Sequence, residues 1–136
     1  MRFNTALLHS NIMGDENTGA TLTPIYQSSA FYQTSAEQHE KLFNNKATGF
    51  SYTRINNPTV LAFENRMSSL ENGLVSVACA SGMAAITNAL LNIVCAGQEI
   101  IASTSLYGGS IDVFHDFEAF GIKTVFVDIS DEEAVR

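Results

Sequence analysis

The apolar and polar positions of the chain follow one pattern in residues 1–57 and another in the rest. Residues 1–57 are polar and only weakly periodic, and they predict one short helix at Ser35–Phe43, with the serine as its cap. The pattern then becomes regular. Asn57 and Pro58 are favoured residues at a helix start, and the apolar residues that follow recur at helical spacing. A second helix is therefore predicted from Pro58 to just before Gly73.

Strands and helices are predicted to alternate in the remainder of the chain. Three apolar runs predict strands and the two stretches between them predict helices: Leu74–Ala80, Glu99–Ser103 and Ile122–Val127 for the strands, and Met83–Cys95 and Ser110–Phe120 for the helices. The first of these helices is apolar on most sides and is expected to be well buried. The second carries Ile111, Phe114 and Phe117 on one face. Ser130, followed by acidic residues, is the predicted cap of one more helix. This alternation predicts an α/β fold with a mainly parallel sheet and flanking helices.

The number of predicted helices is small for such a sheet. A parallel sheet is buried on both faces, and the helices predicted here are too few to cover them. We therefore expect the 136 residues to be the N-terminal part of a longer protein.

Composition and charge narrow the class of protein. The chain is 46% hydrophobic and 15% charged, which is typical of a globular protein rather than a disordered one. Its formal net charge of -7 argues against nucleic-acid binding, which needs clustered Lys and Arg. No segment is long and apolar enough to span a bilayer, and the first residues do not resemble a secretory signal. We therefore expect a cytoplasmic protein.

The two cysteines, Cys79 and Cys95, both lie within apolar stretches. We expect them to be reduced core residues, as in other cytoplasmic proteins, with a disulfide between them as the less favoured alternative. No spacing of Cys and His indicates a metal site. The histidines and carboxylates form no pattern typical of acid–base catalysis.

A predicted strand, a sharp turn and a helix meet at Ser81–Met83. The first amides of a helix have no partners within it, and the helix dipole adds partial positive charge there. Gly82 has no side chain that would block a ligand. The turn can therefore hold a phosphate, although a capped helix start packed under a sheet would have the same sequence. It lacks the Gly-rich dinucleotide pattern and the Gly-Lys-Ser/Thr of phosphate loops, which disfavours a nicotinamide enzyme or a nucleoside triphosphatase.

Two further groups can contribute to such a site. Arg54, within Tyr52–Arg54, has a fork of donors that suits a phosphate or a carboxylate, although a solvated surface arginine is the simpler interpretation. Tyr107 lies in the loop after the second predicted strand, and ligands of open parallel sheets bind beyond the carboxyl ends of the strands. Its ring can cover a flat cofactor, but Tyr107–Gly109 could equally be only a turn.

Four stretches of sequence occur together, in an order and at a spacing typical of one enzyme family: Pro24–Ser29, Tyr52–Thr59, Ser81–Ile86 and Ser105–Gly109. With these motifs the chain resembles, over nearly its whole length, the pyridoxal-phosphate enzymes of Cys/Met metabolism, the cystathionine gamma-synthase-like group. Within that family, the Thr-Arg-Ile sequence before Asn-Pro-Thr and the Ser-Leu-Tyr-Gly-Gly-Ser stretch are most similar to the O-acetylhomoserine sulfhydrylases.

The resemblance implies a role for each residue at the two predicted helix starts. Ser81 and the backbone amides of Gly82 and Met83 would hold the phosphate of pyridoxal 5'-phosphate. Tyr107 would stack on the pyridine ring of this cofactor and would act as a catalytic residue in proton handling.

The resemblance also implies how the chain is organised. The fold would be the start of the large domain of the type I pyridoxal-phosphate-dependent transferases, which are aspartate aminotransferase-like. Residues 58–136 would be the first part of that cofactor-binding domain, and residues 1–57 an arm that contacts a neighbouring subunit. Tyr52 and Arg54 would reach the phosphate in that subunit's site. The family usually forms homotetramers, each a dimer of dimers.

For the full-length protein, the resemblance implies a step of methionine biosynthesis. A sulfur donor would replace the acetate of the amino-acid substrate O-acetylhomoserine to give homocysteine. A cystathionine gamma-synthase, a methionine or cystathionine lyase, a non-catalytic fragment and a plain phosphate-binding α/β domain remain alternatives. The family attaches its cofactor to a downstream lysine, whereas Lys41, Lys46 and Lys123 stand in other contexts. We therefore expect the 136-residue chain alone to be inactive.

Overall fold

The computed structural model describes residues 2–10 and 14–136, and the chain forms two compact units with their boundary between Ala78 and Cys79. Within these ranges the first unit contains α1 (Phe3–His9), α2 (Ala36–Phe43) and α3 (Pro58–Leu70). The second contains α4 (Gly82–Leu91), β1 (Glu99–Ser103), α5 (Gly108–Asp116), a 3-10 turn (Phe117–Phe120), β2 (Lys123–Val127) and α6 (Glu132–Val135). None of the helices in the described ranges has the length and hydropathy needed to cross a membrane.

The starts of α2 and α3 confirm the helix caps predicted from the sequence. The hydroxyl of Ser35 accepts a hydrogen bond from the Gln38 amide at 3.2 Å. The side chain of Asn57 accepts one from the Thr59 amide at 2.8 Å. Pro58 occupies the first turn of α3, where no intrahelical partner exists for the N–H that proline lacks. Each cap satisfies an amide that the helix would otherwise leave without a partner.

Helix α1 has no counterpart in the prediction from sequence, which places a single helix in residues 1–57. Its cap residue Arg2 makes no side-chain cap bond and its first turn has no acidic residue, so the sequence carries no start signal. Packing against α3 stabilises it, and the Arg66 guanidinium donates a hydrogen bond to the Leu7 carbonyl. Helices this short depend on tertiary contacts more than on propensity.

The first predicted strand, Leu74–Ala80, is wrong, because within the described residues this segment pairs with no other strand. Its large apolar side chains are 97%, 75% and 79% exposed in Leu74, Val75 and Val77. The segment is instead fastened to α3, since the Glu64 carboxylate accepts the Ala78 amide at 2.8 Å. An apolar run becomes a strand only where a neighbouring strand takes up its backbone groups, and the run itself does not reveal that neighbour.

The second and third predicted strands do form, and they make a small parallel sheet. Strands β1 and β2 pair in register, from Glu99 opposite Lys123 to Ser103 opposite Val127. An exposed ion pair joins the first of these pairs, with Lys123 Nζ 2.8 Å from Glu99 Oε1. Helix α5 and the 3-10 turn form the crossover, the usual connection between parallel strands. Of the predicted fold class, the coarser part is confirmed, namely mixed helices with a small parallel sheet, which has two strands within the described residues.

The core of the second unit contains residues from the sheet, from α5 and from the 3-10 turn. Its buried apolar residues are Ala102, Phe114, Phe117 and Ile122. The ring of Phe114 meets those of Phe117 and Phe126 edge to face, at centroid distances of 6.2 and 6.1 Å. Two members of the predicted apolar face, Phe114 and Phe117, are therefore confirmed as core residues, whereas Ile111 is half-buried.

Helix α4 departs from its prediction in length and in burial. It ends at Leu91 rather than Cys95, and beyond its last residue the amides of Ile93 and Val94 both donate to the Leu90 carbonyl, at 3.0 Å each. None of its residues is fully buried, and Ile86 is 36% exposed. A two-stranded sheet offers too narrow a face to cover a helix that is apolar on most sides, so the prediction of a well-buried helix is wrong.

The two cysteines are free, as predicted, but both are exposed rather than part of the core. The expected burial of Cys79 and Cys95 rests on their apolar neighbours. Those neighbours are themselves exposed, at 79% for Val77 and 72% for Ile93. The apolar sequence around the two cysteines therefore predicts burial of both thiols, and this prediction is wrong.

Helix α6 has a different cap from the predicted one. The Asp131 carboxylate accepts the amides of Glu133 and Ala134, at 3.0 and 3.3 Å. Ser130 does not cap the helix. Its hydroxyl and its amide both donate to the Asp128 carboxylate instead, at 2.6 and 2.9 Å. These two donors, the hydroxyl first, hold the pKa of Asp128 below its usual value because they stabilise the charged form.

Candidate phosphate-binding site

The turn before α4 gives that helix a start lined by backbone amides. Ser81 has extended backbone angles, φ -157° and ψ 163°, and its Oγ accepts a hydrogen bond from the Ala84 amide at 3.1 Å. The Ser81 carbonyl accepts the Ala85 amide at 3.0 Å. Among the described residues, nothing accepts a hydrogen bond from the amides of Gly82 and Met83. These two N–H groups are therefore available to an anion.

Gly82 leaves the face of this turn open. A β-carbon at this position would have no neighbouring atom within 4 Å, and the residue does not have a positive φ. The backbone conformation therefore does not itself require glycine. The Ser81 hydroxyl also keeps its hydrogen for donation, because Oγ uses a lone pair to accept the Ala84 amide. Two amides, one hydroxyl and the dipole of a ten-residue helix fit a phosphate monoester.

Tyr107 lies at the start of α5, after the loop that leaves β1. Its side chain caps no helix amide, and the residue is 75% exposed. The ring lies across Gly109, where a β-carbon would come 2.8 Å from Cε1 of Tyr107 and 3.5 Å from Sδ of Met83. Helices α4 and α5 also pack against each other. Within the second unit, an exposed aromatic ring is therefore a neighbour of the amide-lined turn.

Gly109 is a residue of this site that the sequence pattern does not single out. In the sequence it is half of a Gly-Gly turn, whereas in the structure it is the position over which the Tyr107 ring lies. Gly108 differs, because a β-carbon there would have no atom within 4 Å. Two adjacent glycines at a helix start, next to an aromatic residue, are the signal that could have identified it.

The first unit holds the other two predicted residues, Tyr52 and Arg54. Tyr52 pairs with Ala30 in an isolated antiparallel bridge, and its carbonyl accepts the amides of Ile55 and Asn56 in a tight turn. Cζ of Arg54 lies 5.3 Å from the centroid of the Tyr52 ring, a cation–π contact. Within the described residues Arg54 makes no ion pair. The turn presents an exposed guanidinium whose fork of donors matches a phosphate or a carboxylate.

The sequence pattern identifies Asn57 as a helix cap but misses its second set of contacts. This side chain is only 4% exposed, and its Nδ2 donates to the Tyr26 carbonyl and to Thr53 Oγ1, each at 3.0 Å. Tyr26 lies 31 positions away along the chain, and a contact over that distance leaves no signal in the local sequence.

In the second unit, the turn before α4 can bind an anion, with Tyr107 beside it to cover a flat ring. In the first unit, the turn Tyr52–Arg54 can bind an anion by itself. The described residues contain no group of three or more metal-binding side chains. The pKa is lowered for Asp15, Glu37 and Asp128, where hydroxyl or amide groups donate to the carboxylate, and none of these lies in either turn. Each of these turns, within its own unit, therefore offers hydrogen-bond donors and a nearby aromatic ring to a ligand.

The sequence matches the Cys/Met metabolism PLP-dependent enzyme family over residues 4–136. Two relatives named O-acetyl-L-homoserine sulfhydrylase, from Leptospira meyeri and Corynebacterium glutamicum, are 43% and 44% identical over 97% and 96% of the chain. An L-methionine gamma-lyase from Treponema denticola is 40% identical over 87% of the chain. The chain spans 30% of the length of each of these relatives.

Solved structures are similar to nearly the whole chain. The structure named for an O-acetylhomoserine (thiol)-lyase (metY) of Campylobacter jejuni has a TM-score of 0.90 at 31% identity. The match covers 99% of this chain and 34% of that one, which carries N'-pyridoxyl-lysine-5'-monophosphate at its position 205. Cystathionine gamma-lyase of Lactobacillus plantarum, in complex with L-serine, has a TM-score of 0.82 at 38% identity, over 99% of this chain and 33% of that one. The chain therefore belongs to the Cys/Met metabolism family of PLP-dependent enzymes.

Proposed function

We propose that this chain holds the phosphate of pyridoxal 5'-phosphate in an enzyme that replaces the acetate of O-acetylhomoserine with a sulfur nucleophile, giving homocysteine. The observation that carries the proposal is the pair of unpartnered amides at Gly82 and Met83, among the described residues, beside the exposed ring of Tyr107. Pyridoxal phosphate, when bound, supplies an electron sink that stabilises carbanions of the amino-acid substrate. The residues of this chain would bind the phosphate, orient the cofactor ring and transfer protons.

The start of α4 would bind the phosphate group. The amides of Gly82 and Met83 would donate hydrogen bonds to it. The Ser81 hydroxyl would donate a third, while its oxygen still accepts the Ala84 amide. Hydrogen bonds to a charged acceptor are shorter and stronger than neutral ones, and the helix dipole adds to them. The open face at Gly82 leaves room for the phosphate to approach.

Tyr107 would cover one face of the pyridine ring. Its ring is exposed and adjoins Met83, so a flat ligand whose phosphate is bound at the start of α4 comes within its reach. The phenolic oxygen can both donate and accept a hydrogen bond. We therefore assign Tyr107 a catalytic part in moving protons at that oxygen.

Tyr52 and Arg54 would act on the phosphate in the site of a neighbouring subunit, in a homo-oligomer built as a dimer of dimers. Two features support this assignment. The guanidinium is exposed and has no carboxylate partner within the described residues, and the Tyr52 ring holds it by a cation–π contact at 5.3 Å. Residues 1–57 would then be the arm that contacts that subunit.

The relatives support O-acetylhomoserine as the substrate. The two sulfhydrylases are 43% and 44% identical to the chain, and the methionine gamma-lyase is 40% identical. The sequences around Arg54 and Tyr107 favour the same subclass. The sulfur donor would be sulfide, a thiol or a carrier protein, and we expect the reaction to take place in the cytoplasm.

An assay of the full-length protein tests this proposal. With pyridoxal phosphate, O-acetylhomoserine and sulfide, we expect homocysteine to form, as measured by mass spectrometry, and to require both substrates. Arg54→Ala and Tyr107→Ala should each lower cofactor affinity and turnover. Unchanged affinity and turnover in both variants would show that the assigned roles are wrong.

Methionine gamma-lyase is the second candidate, and the 40% identical relative from Treponema denticola favours it. The same protein should then convert methionine and water into a thiol, ammonia and a four-carbon 2-oxo acid. Good turnover of methionine or cystathionine, with no homocysteine from any homoserine ester, would replace the sulfhydrylase assignment with a lyase.

A further inference from the structure

Asn57 connects three segments of the first unit through one buried side chain. The residue is 4% exposed. Its Nδ2 donates to the Tyr26 carbonyl and to Thr53 Oγ1, each at 3.0 Å, while Oδ1 accepts the Thr59 amide at 2.8 Å. Both amide hydrogens are thus used, and a buried polar group that is fully engaged fixes the backbone around it.

A second set of hydrogen bonds closes this network. Oγ1 of Thr59 accepts the Tyr26 amide at 2.8 Å and donates to the Pro24 carbonyl at 3.3 Å. The Thr53 hydroxyl, which accepts from Asn57, donates in turn to the Ser28 carbonyl. The Thr53 side chain is therefore held between the start of α3 and the segment that contains Ser28.

Thr53 is the residue between Tyr52 and Arg54, so a change in its position is passed to both. The Arg54 guanidinium has no hydrogen-bond partner in residues 2–10 and 14–136, and its described contact is the one with the Tyr52 ring at 5.3 Å. The placement of the guanidinium therefore depends on the backbone of this turn.

We propose that Asn57 is a positioning residue for the anion-binding turn Tyr52–Arg54. Donation from its Nδ2 to Thr53 Oγ1 holds the turn in the conformation in which Tyr52 and Arg54 meet a phosphate. This inference rests on the function proposed for Tyr52 and Arg54, and it goes beyond helix capping. The two roles use different atoms, because Oδ1 caps α3 and Nδ2 holds the turn, so substitution can separate them.

Two variants of the full-length protein remove this link from opposite sides. Asn57→Asp keeps an oxygen to cap α3, since Asp and Asn are equally good caps, and it removes the donor to Thr53 and to the Tyr26 carbonyl. Thr53→Val removes the acceptor at an exposed position with little change of shape, together with the hydroxyl that donates to the Ser28 carbonyl. It tests the link even if burial of a carboxylate unfolds the first variant. Ser35→Asp is the matched control, because it changes the cap of α2 without touching the turn.

The measurement compares the affinity of each apoenzyme for pyridoxal phosphate and for pyridoxal, which lacks the phosphate, by absorbance titration. We expect the affinity for pyridoxal phosphate to fall about tenfold in Asn57→Asp and Thr53→Val, by analogy with the low end of the effect of residues that orient metal ligands. The affinity for pyridoxal should stay near that of the wild type. Ser35→Asp should change neither affinity.

Arg54→Ala, measured in parallel, separates the failure of this inference from the failure of the proposed function. If Arg54→Ala lowers the preference for pyridoxal phosphate over pyridoxal and the Asn57 and Thr53 variants do not, Asn57 has no positioning role and the proposed function stands. If Arg54→Ala leaves that preference unchanged, the function proposed for the turn is wrong and the positioning role falls with it. An equal loss of affinity for both ligands in Thr53→Val would show a merely structural role and would overturn the inference.

Discussion

The ring of Tyr107 occupies the space that a side chain at Gly109 would need. A β-carbon at position 109 would lie 2.8 Å from Cε1 of Tyr107, well inside van der Waals contact. The same atom would lie 3.5 Å from Sδ of Met83. Within the second unit, glycine at this position therefore lets the ring lie beside the amide-lined start of α4.

Gly109→Ala should move this ring without unfolding the protein. The atom in conflict is near the end of an exposed side chain, so the ring can swing away and the free energy of unfolding should change by less than about 1 kcal/mol. The affinity of the full-length apoenzyme for pyridoxal phosphate should fall, because Tyr107 no longer covers the pyridine face. Gly108→Ala is the control, since its β-carbon meets no atom within 4 Å. Equal cofactor affinities in the two variants would refute the role of the ring position.

Replacement of Ser81 by Ala and by Asp should have different effects on stability and on cofactor affinity. Ser81→Ala removes the cap of α4 and should lower the free energy of unfolding by about 1 kcal/mol. Ser81→Asp keeps a capping oxygen and should restore stability. It should nevertheless bind pyridoxal phosphate more weakly than Ser81→Ala does, because a carboxylate beside a phosphate repels it. Urea unfolding and cofactor titration measure the two effects, and tight cofactor binding by Ser81→Asp would be inconsistent with a phosphate at this turn.

Arg54→Lys should weaken the affinity for pyridoxal phosphate even though the charge is kept. A guanidinium donates two parallel hydrogen bonds to a phosphate, whereas an ammonium acts as a point charge. We expect a loss of about tenfold, equivalent to about 1.4 kcal/mol and close to the low end for one lost hydrogen bond to a charged group, with no loss for pyridoxal. Arg2→Lys, at another exposed arginine, is the control. Full affinity in Arg54→Lys would rule out a bidentate contact with the phosphate.

Asp128 should make the second unit sensitive to acid. The donors of Ser130 lower the pKa of Asp128 from its ordinary value of 3.8. A lowered native pKa stabilises the fold above the pKa of the unfolded chain, and the gain is lost as the pH falls through the native pKa. Ser130→Ala removes the hydroxyl donor, so the pKa of Asp128 should rise toward 3.8 and the variant should lose less stability on acidification.

Carboxyl-carbon NMR titration of Asp128 and unfolding curves below pH 5 measure these two effects. Ser105→Ala serves as the control, because its side chain makes no hydrogen bond to another described residue. A pKa of Asp128 that does not change in Ser130→Ala would contradict the assignment of its cause.

The features that could be predicted from the sequence are those whose cause lies within a few residues. The caps at Ser35 and Asn57 each bond an amide two or three positions away, so residue type and spacing are enough to predict them. The helix start at Ser81–Met83 is predictable for the same reason, while phosphate binding there stays a prediction. Strand β1 was placed at its observed bounds, because its apolar residues are flanked by strong turn signals.

The features that could not be predicted depend on contacts between distant residues. Helix α1 needs α3, and the run Leu74–Ala80 needs a neighbouring strand, so neither could be judged from its own sequence. The contact between Asn57 and Tyr26 joins positions 31 apart. The ring of Tyr107 near Met83 depends on how α4 and α5 pack, a relationship that local pattern does not contain.

A crystal structure of the full-length protein with pyridoxal phosphate is the most direct test of the claim that the start of α4 holds the phosphate. We expect phosphate oxygens about 2.7–3.2 Å from the backbone nitrogens of Gly82 and Met83. We also expect the ring of Tyr107 against the pyridine face. A phosphate bound away from this turn, with the two amides engaged by other partners, would contradict the account.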